Sequence, residues 1–520
     1  MSFGVWLCAL GLVCFGVRRL LRLRPGHLPF PPGPPAPIPW IKHAFQIPSN
    51  HQWLTFSDWH KIYGDVISVK AFGQHIVVLG SLKACTDLCE KRSSVYSDRP
   101  DLPMLKELMG WGWLIGFMGY GAEWRTQRRA FHQVLNSRES ASYQPIQVRE
   151  ARKLLKRLLV SPERFYHHVR HELGAIIMDV AYGIKIAEDN DPYIELGEAA
   201  VSTVVLGGDP TVYFVNTFPW LKYIPSWFPG ARFKQDAAKW KLIGQDFKNV
   251  PFNHAKDAMK SGTASPSFVS TLLDKFSNAW DTTATDSEKE DIVSSIAAGA
   301  YLAGADTTVS SLQTLFLVMA NHPDIQKRAQ EELDNVVGNE RLPDFDDQDK
   351  LPYVTAVCKE LLRWQPIVPL GLPHAASEDD EYNGYFIPKG SIVIGNIWAI
   401  LQDPSHYPKP ESFNPDRFMK DGQIDPDVLD PALAAFGFGR RICPGRWMSS
   451  QALFITVASV LAAYNIAPPL DDNGQPVYLV PNMLSGLVSY PAPFKCVITP
   501  RSEAAQRFVQ EDAMIVSTSS

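Results

Sequence analysis

One short stretch of this 520-residue chain concentrates residues able to do metal chemistry: Phe436-Gly437-Phe438-Gly439-Arg440-Arg441-Ile442-Cys443-Pro444-Gly445. Glycines at 437, 439 and 445 permit tight turns and close backbone approach, so amide N–H groups can point at the cysteine sulfur. Neighbouring guanidiniums and amide dipoles favour thiolate over thiol. The helical run Trp447 to Leu461 behind the loop places the sulfur near the positive end of a helix. A single thiolate of this kind binds a metal through one strong bond, although a buried cysteine in a glycine-rich turn reads the same from the loop alone. A second candidate is Ala303-Gly304-Ala305-Asp306-Thr307-Thr308, where polar residues and a glycine interrupt an apolar helical run. Threonines there can bond back to the preceding turn and bend the helix, and an acid beside an alcohol is a suitable proton relay. Glu360 and Arg363, three apart, share a helix face and in isolation read as an ordinary surface ion pair.

The cysteine loop resembles the cytochrome P-450 signature Phe-x-x-Gly-x-Arg-x-Cys-x-Gly at every specified position: Phe436, Gly439, Arg441, Cys443 and Gly445. Resemblance to the family extends in collinear order from about Pro31 to about Thr499. It implies a haem b cofactor with Cys443 as axial iron ligand, since haem needs one strong proximal ligand and thiolate pushes electron density towards O–O cleavage. It makes Glu360, Arg363 and Arg417, the last in Phe413-Asn414-Pro415-Asp416-Arg417-Phe418, a structural triad. It assigns Trp124, Arg128, His374 and Arg441 to the haem propionates, with Phe436 also at the cofactor, and gives Asp306 and Thr307 the delivery of protons to dioxygen, for which a local opening near Gly304 would leave room.

The implied activity is monooxygenation with dioxygen and electrons from NADPH–cytochrome P450 reductase. The implied pocket is lined by Met109, Trp111, Trp113, Phe117, Ala300, Ala303, Ile367, Val368, Leu370 and Leu484, mostly apolar, which favours a small hydrophobic substrate. A terpenoid is expected first, an aromatic polyketide or indole second. Glu107-Leu108-Met109-Gly110-Trp111 and the segment Phe218 to Gly230 resemble membrane-bound fungal members of secondary metabolism. A haem-thiolate isomerase or dehydratase would have no use for Asp306 and Thr307, and a non-catalytic haem protein would leave both them and a membrane tether unexplained.

Positioning these residues requires a mainly α fold with a minor β portion. Short β-branched runs between Tyr63 and Leu79, broken at Gly73, predict a hairpin. Helical spacing covers Ser81 to Lys91, Ala122 to Leu135, Val148 to Leu159, Pro162 to Ala181 and Ala237 to Ser261. Ser287 to Asn321 is the longest pattern, opening on Glu288, Glu290 and Asp291 and ending before Pro323; it would run about 50 Å. Further strands are expected at Ser391 to Ile397 and within Pro481 to Ile498, and a polar, frayed tail after Pro500.

Met1 to Val17 carries no charge and is followed at once by Arg18, Arg19, Arg22 and Arg24. Positive charge on that side, without a cleavage site, predicts an uncleaved membrane helix over residues 1–24 with its basic end cytoplasmic, hence single-pass residence in the endoplasmic reticulum membrane. Residues 25–40 read as a proline-rich stiff hinge, residues 41–500 as one haem domain and 501–520 as the tail. A net charge of -5 gives no basic footprint for nucleic acid. Seven scattered cysteines imply no disulfide framework, and Cys85 with Cys89 read as small buried apolar residues, not zinc ligands.

Overall fold

The computed structural model describes residues 28–36, 43–208, 212–278, 285–338 and 340–518. The helices that matter for the site are α1 (Ala122–Val134), α2 (Gln144–Val160), α3 (Phe165–Tyr182), α4 (Pro192–Gly208), α5 (Arg232–Ser261), α6 (Asp286–Asn321), α7 (Pro352–Trp364), α8 (Arg446–Ala463) and α9 (Glu503–Thr518). The main sheet contains β1 (Val66–Ala71), β2 (Gln74–Leu79), β3 (His374–Ala375) and β4 (Ile392–Gly395).

Helix α6 organises the body. Thr285 and Glu288 close a reciprocal capping box at its start, satisfying two orphan N–H groups, and Pro323 follows its end. Nearly all of Val293–Tyr301 and Thr308–Ala320 is buried, as expected of a helix apolar all round. It packs most extensively on α3, itself buried over most of its length and ended by Gly183 at φ 70. Among the described residues α6 is the one helix long and apolar enough to cross a membrane; its burial makes it the core helix. The expected anchor at 1–24 lies outside the described residues.

The hairpin forms as the sequence predicts, Val66 opposite Leu79 and Ala71 opposite Gln74. Its two-residue turn, Phe72-Gly73, has positive φ at both positions, the twist-matched geometry for a tight hairpin. Strand β2 then pairs in parallel with β4, and β4 antiparallel with β3, so the sheet carries His374 towards the centre.

Several expectations change. The helix over Ser81–Lys91 begins as Leu82–Cys85 and widens into a π-turn over Thr86–Lys91. Helix α5 starts five residues early and keeps Pro251 inside it. Within Pro481–Ile498 the pairing is an isolated bridge, Met483 with Pro491, and a regular strand begins only at Val497. The tail is not frayed: α9 lies on α2 with Val509 buried, because its few apolar residues recur at helical spacing and cover an exposed helix face. The described part of the proline segment is tied into the body rather than spacing it off. Ser68 donates from its N–H to the Pro32 carbonyl at 2.8 Å and from its hydroxyl to Pro31 at 2.9 Å, and Phe386 N–H reaches Pro29. Proline carbonyls still accept although proline nitrogens cannot donate.

Candidate active site

The cysteine loop is held in shape by two glycines. Gly437 (φ 75) and Gly439 (φ 55) take the left-handed conformation, and a Cβ on Gly439 would sit 2.2 Å from the Cys89 carbonyl oxygen. The loop is therefore pressed against the Thr86–Lys91 turn as closely as backbone can approach. Cys443 N–H donates to the Phe436 carbonyl at 2.8 Å, closing the loop just before α8 begins. Burial pushes the Cys443 thiol up; the N–H groups of Gly445 and Arg446 and the charges of Arg128 and Arg446 pull it down without overcoming burial. A bound cation would complete what they begin, since coordination deprotonates a thiol outright.

Around this loop stands a cluster of cations, Arg99 buried and Arg128 and Arg441 half-buried. Arg441 donates to the carbonyls of Ser97, Ile115 and Met118 and stands 4.3 Å over the Trp124 ring. Arg128 donates to the Ile442 carbonyl at 2.6 Å. Arg99, which sequence reasoning missed, donates to the carbonyls of Gly116, Leu372 and Pro373. Burial lowers all three guanidiniums, Arg99 to about 9 and Arg441 to about 10. His374 Nδ1 is 2.7 Å from the Tyr96 carbonyl oxygen, and burial with the charge of Arg99 takes the imidazole down to about 3, so it is neutral at working pH. Asp98, the acid nearest Arg99 and Arg441, spends one oxygen on the N–H groups of Arg99 and Tyr120. Positive charge in excess, partly withdrawn from solvent and bonded to neutral carbonyls, is a setting for an anionic group. Haem, with two carboxylates and an iron that takes one thiolate, fits this donor set.

Helix α6 opens on one face. Ala303 is exposed and Thr307, one turn on, half-buried, in the middle of a helix otherwise buried. Thr307 Oγ1 donates back to the Ala303 carbonyl at 2.8 Å, the back-bonding that the sequence predicts. A Cβ on Gly304 would lie 2.7 Å from Ile177 Cδ1, so this glycine serves the α3 contact, and the helix is unbroken through it. Asp306 is buried, one carboxylate oxygen accepting from Arg170 at 2.8 Å and the other from the Tyr490 hydroxyl. Neither partner could be found from sequence, being 136 and 184 residues away.

The Glu360–Arg363 pair, read in isolation as a surface pair, is fully buried. Arg363 donates to both carboxylate oxygens at 2.7 and 2.8 Å, and Arg417 Nε and Asn414 N–H add bonds to Oε1 at 3.1 and 2.8 Å. Arg363 also reaches the carbonyls of Leu401 and Ser412, and Arg417 that of Pro408. The triad thus clips α7 to the segment 408–417, which precedes the cysteine loop.

The expected lining residues separate into groups. Ala300 and Ala303 lie on α6, and Ile367 and Val368 are half-buried. Trp113 and Phe117 are half-buried, Phe117 beside Gly208 and Trp113 tilted against Trp111 with ring centres 5.2 Å apart. Met109 and Trp111 are fully buried, fitting under Gly207 and Gly244, where any Cβ would crowd them. Leu370 packs with Phe56, Ile67 and Val78 under the sheet, and Leu484 is 46% exposed.

Comparison with known proteins places this geometry. The sequence profile of the cytochrome P450 family matches residues 31–496. The chain is 44% identical over 489 residues to the cytochrome P450 monooxygenase COX2 of Coprinopsis cinerea, covering 94% of this chain and 92% of that protein. It is 38% identical to the tryptamine 4-monooxygenase of Psilocybe cyanescens (94% and 96% covered) and 38% to the cytochrome P450 monooxygenase claR of Ampulloclitocybe clavipes (92% and 88% covered). A glycine-closed cysteine loop and a nest of buried and half-buried cations, carried on a fold whose profile match spans most of the chain, have one explanation: the chain belongs to the cytochrome P450 family, as a haem-thiolate monooxygenase.

Proposed function

We propose that Cys443 ligates the haem iron, that Trp124, Arg128, His374 and Arg441 hold the propionates together with Arg99, and that the enzyme oxidises a small hydrophobic secondary metabolite. The observation that carries this is the placement of Cys443 in a loop beside Arg99, Arg128 and Arg441, buried or half-buried and bonded to carbonyls and not to carboxylates. Haem, when bound, supplies the oxidising power to insert one atom of dioxygen while the other leaves as water. The chain's own residues do the rest. Apolar side chains near Ala300, Ala303, Ile367 and Trp113 orient substrate and exclude water, and Asp306 with Thr307 handle the protons that dioxygen reduction consumes. Electrons come from NADPH through a flavoprotein reductase. None of the lining residues carries a carboxylate, which favours an uncharged terpenoid. The relative that is a tryptamine 4-monooxygenase makes an indole the second reading, with Trp113 and Phe117 available for stacking.

The body sits on the cytoplasmic face of the endoplasmic reticulum membrane, tethered by residues 1–24. Supporting this is a run of exposed aromatics between α4 and α5: Phe214, Trp220, Tyr223, Trp227 and Phe228, with Tyr223 78% and Trp227 79% exposed. The tryptophans and the tyrosine, rings with a polar edge, suit a membrane interface, and the two phenylalanines add apolar surface beside them. The test of ligation is spectroscopic: the reduced, carbon monoxide-treated protein shows the thiolate-shifted Soret band and Cys443→Ala loses it; an unshifted spectrum in the wild type, or retention in the variant, overturns the assignment. Substrate class is tested by co-expression with a reductase in a host fed terpenes and, separately, indoles; product from the indoles alone puts the indole ahead of the terpenoid.

A further inference from the structure

One face of α5 lies along the segment Gly110-Trp111-Gly112-Trp113. Lys241, Gly244, Phe247 and Lys248 recur at helical spacing, and each meets that segment. A Cβ on Gly110 would touch the Lys241 stem at 3.5 Å, and one on Gly244 would lie 3.1 Å from the Trp111 ring. Phe247 and Trp111 have ring centres 6.1 Å apart, and Lys248 Nζ stands 5.1 Å from the centre of the Trp113 ring. The two lysines are placed differently. Lys241 is exposed, as is usual for a side chain that buries its stem and keeps its ammonium in water. Lys248 is buried and carries its ammonium inward onto the indole, an attraction between a cation and a π face.

Lys248 Nζ donates to Asp291 Oδ1 at 2.6 Å, near the start of α6. The pair is lopsided: the lysine side chain is 10% exposed and the aspartate 66%. About two turns along α5, Lys256 pairs with Glu290, both in partial contact with solvent. That surface pair already joins α5 to α6 without withdrawing either charge from water. A clamp between the helices therefore leaves the burial of Lys248 unexplained, since taking an ammonium out of water is costly. Solvent screens the Asp291 carboxylate, so it offsets the lysine's field at Trp113 only in part. The wall that Trp113 provides is accordingly biased positive, with no carboxylate among the lining residues to reverse it.

We propose that Lys248 is a specificity-determining residue: its ammonium, held over Trp113 with Asp291 as counter-ion, turns away ligands that carry positive charge at the Trp113 end of the pocket. The substrate is then uncharged there, a neutral terpenoid or neutral indole, and protonated amines are rejected. The inference rests on the proposed lining of the pocket by Trp113. Two effects act in the same direction. A ring whose π density is already drawn towards one cation offers less to a second. A like charge about 10 Å away, at the effective dielectric of a protein, disfavours a ligand cation by roughly tenfold, and partial compensation by Asp291 brings this to about fivefold.

The test compares two probes of one shape in full-length holoprotein: 1-[8-(trimethylammonio)octyl]imidazole and its neutral carbon isostere, 1-(9,9-dimethyldecyl)imidazole. The imidazole anchors each on the haem and reports its binding through the Soret band, and the readout is the ratio of the two Kd values, cation over neutral. Lys248→Met lowers that ratio by about fivefold, Lys248→Arg keeps it, and Asp291→Asn, which leaves the ammonium uncompensated, raises it by roughly twofold. Loss of packing alone changes both Kd values alike and leaves the ratio as in wild type; that result overturns the proposal, and so does a ratio that falls in Asp291→Asn. Because Asp291 is largely exposed, its variant decides the matter even where Lys248→Met fails to hold haem. If Trp113→Ala leaves both Kd values unchanged, the lining reading fails and this inference with it. If Trp113→Ala weakens both probes while the ratio stays constant in the Lys248 and Asp291 variants, only the charge role fails.

Discussion

Replacing Glu172 by glutamine should make this protein more stable, and increasingly so as pH rises. Glu172 lies on α3 with no exposed surface; Oε1 accepts from Thr456 on α8 at 2.7 Å and Oε2 has no hydrogen-bond partner. Burial raises its pKa from 4.5 to about 8, against smaller opposing contributions from Thr456 and Arg157 and a reinforcing one from Glu150. The folded state therefore holds a proton that the unfolded chain gives up at ordinary carboxylate pH. Unfolded protein binds fewer protons than folded between the two values, so stability falls as pH climbs from 4.5 towards 8 and levels off above. At about 1.36 kcal/mol per unit, this one group removes roughly 3 to 4 kcal/mol between pH 5 and pH 8. Glutamine cannot ionise, keeps an oxygen for Thr456 and presents its amide where the neutral acid presents its O–H. For a chain of this length about 1 kcal/mol corresponds to about 1 °C in Tm, so the variant holoprotein should gain roughly 3 °C over wild type at pH 8 and under about 1 °C at pH 5. Scanning calorimetry of both proteins across that range decides the matter. A difference that stays constant with pH, or grows as pH falls, would refute the reasoning.

Gly439→Ala places a Cβ 2.2 Å from the Cys89 carbonyl oxygen at φ 55; haem content per chain, read from the Soret-to-protein absorbance ratio, should fall severely, and full incorporation would show that the loop tolerates displacement. Glu360→Gln leaves Arg363 and Arg417 buried without their carboxylate, a loss of about 3–5 kcal/mol by analogy with other broken buried pairs, visible as a lower Tm; an unchanged Tm would mean that the backbone carbonyls suffice. Deleting residues 502–520 uncovers the face of α2 that Val509 seals and should lower Tm by roughly 1–3 °C from the apolar area exposed, with the Soret position unchanged; a Tm equal to wild type would return the tail to the frayed state expected from its composition.

Helices and the hairpin were legible because their signals are local. Period, caps and turn glycines are written within a dozen residues, and α6 announced itself by acidic residues at one end and Pro323 at the other. The cysteine loop was legible for a related reason: Gly437 and Gly439 are there for backbone conformations that glycine adopts freely, and such positions leave a pattern. What stayed hidden depends on contacts between segments far apart in the chain. Glu360 and Arg363 show on their helix only the spacing of a solvated pair; burial, and hence their energetic weight, comes from Asn414 and Arg417, more than fifty residues on. Arg99 has no spacing that separates it from any other arginine, and its character is set by carbonyls at 116, 372 and 373. Asp306 is the sharpest case. Adjacency in sequence made Thr307 its natural partner, but neighbours on a helix point about 100° apart, so adjacent side chains do not face each other. The helix that makes them sequence neighbours also parts them, and the groups that reach the carboxylate arrive from α3 and from the 482–492 loop.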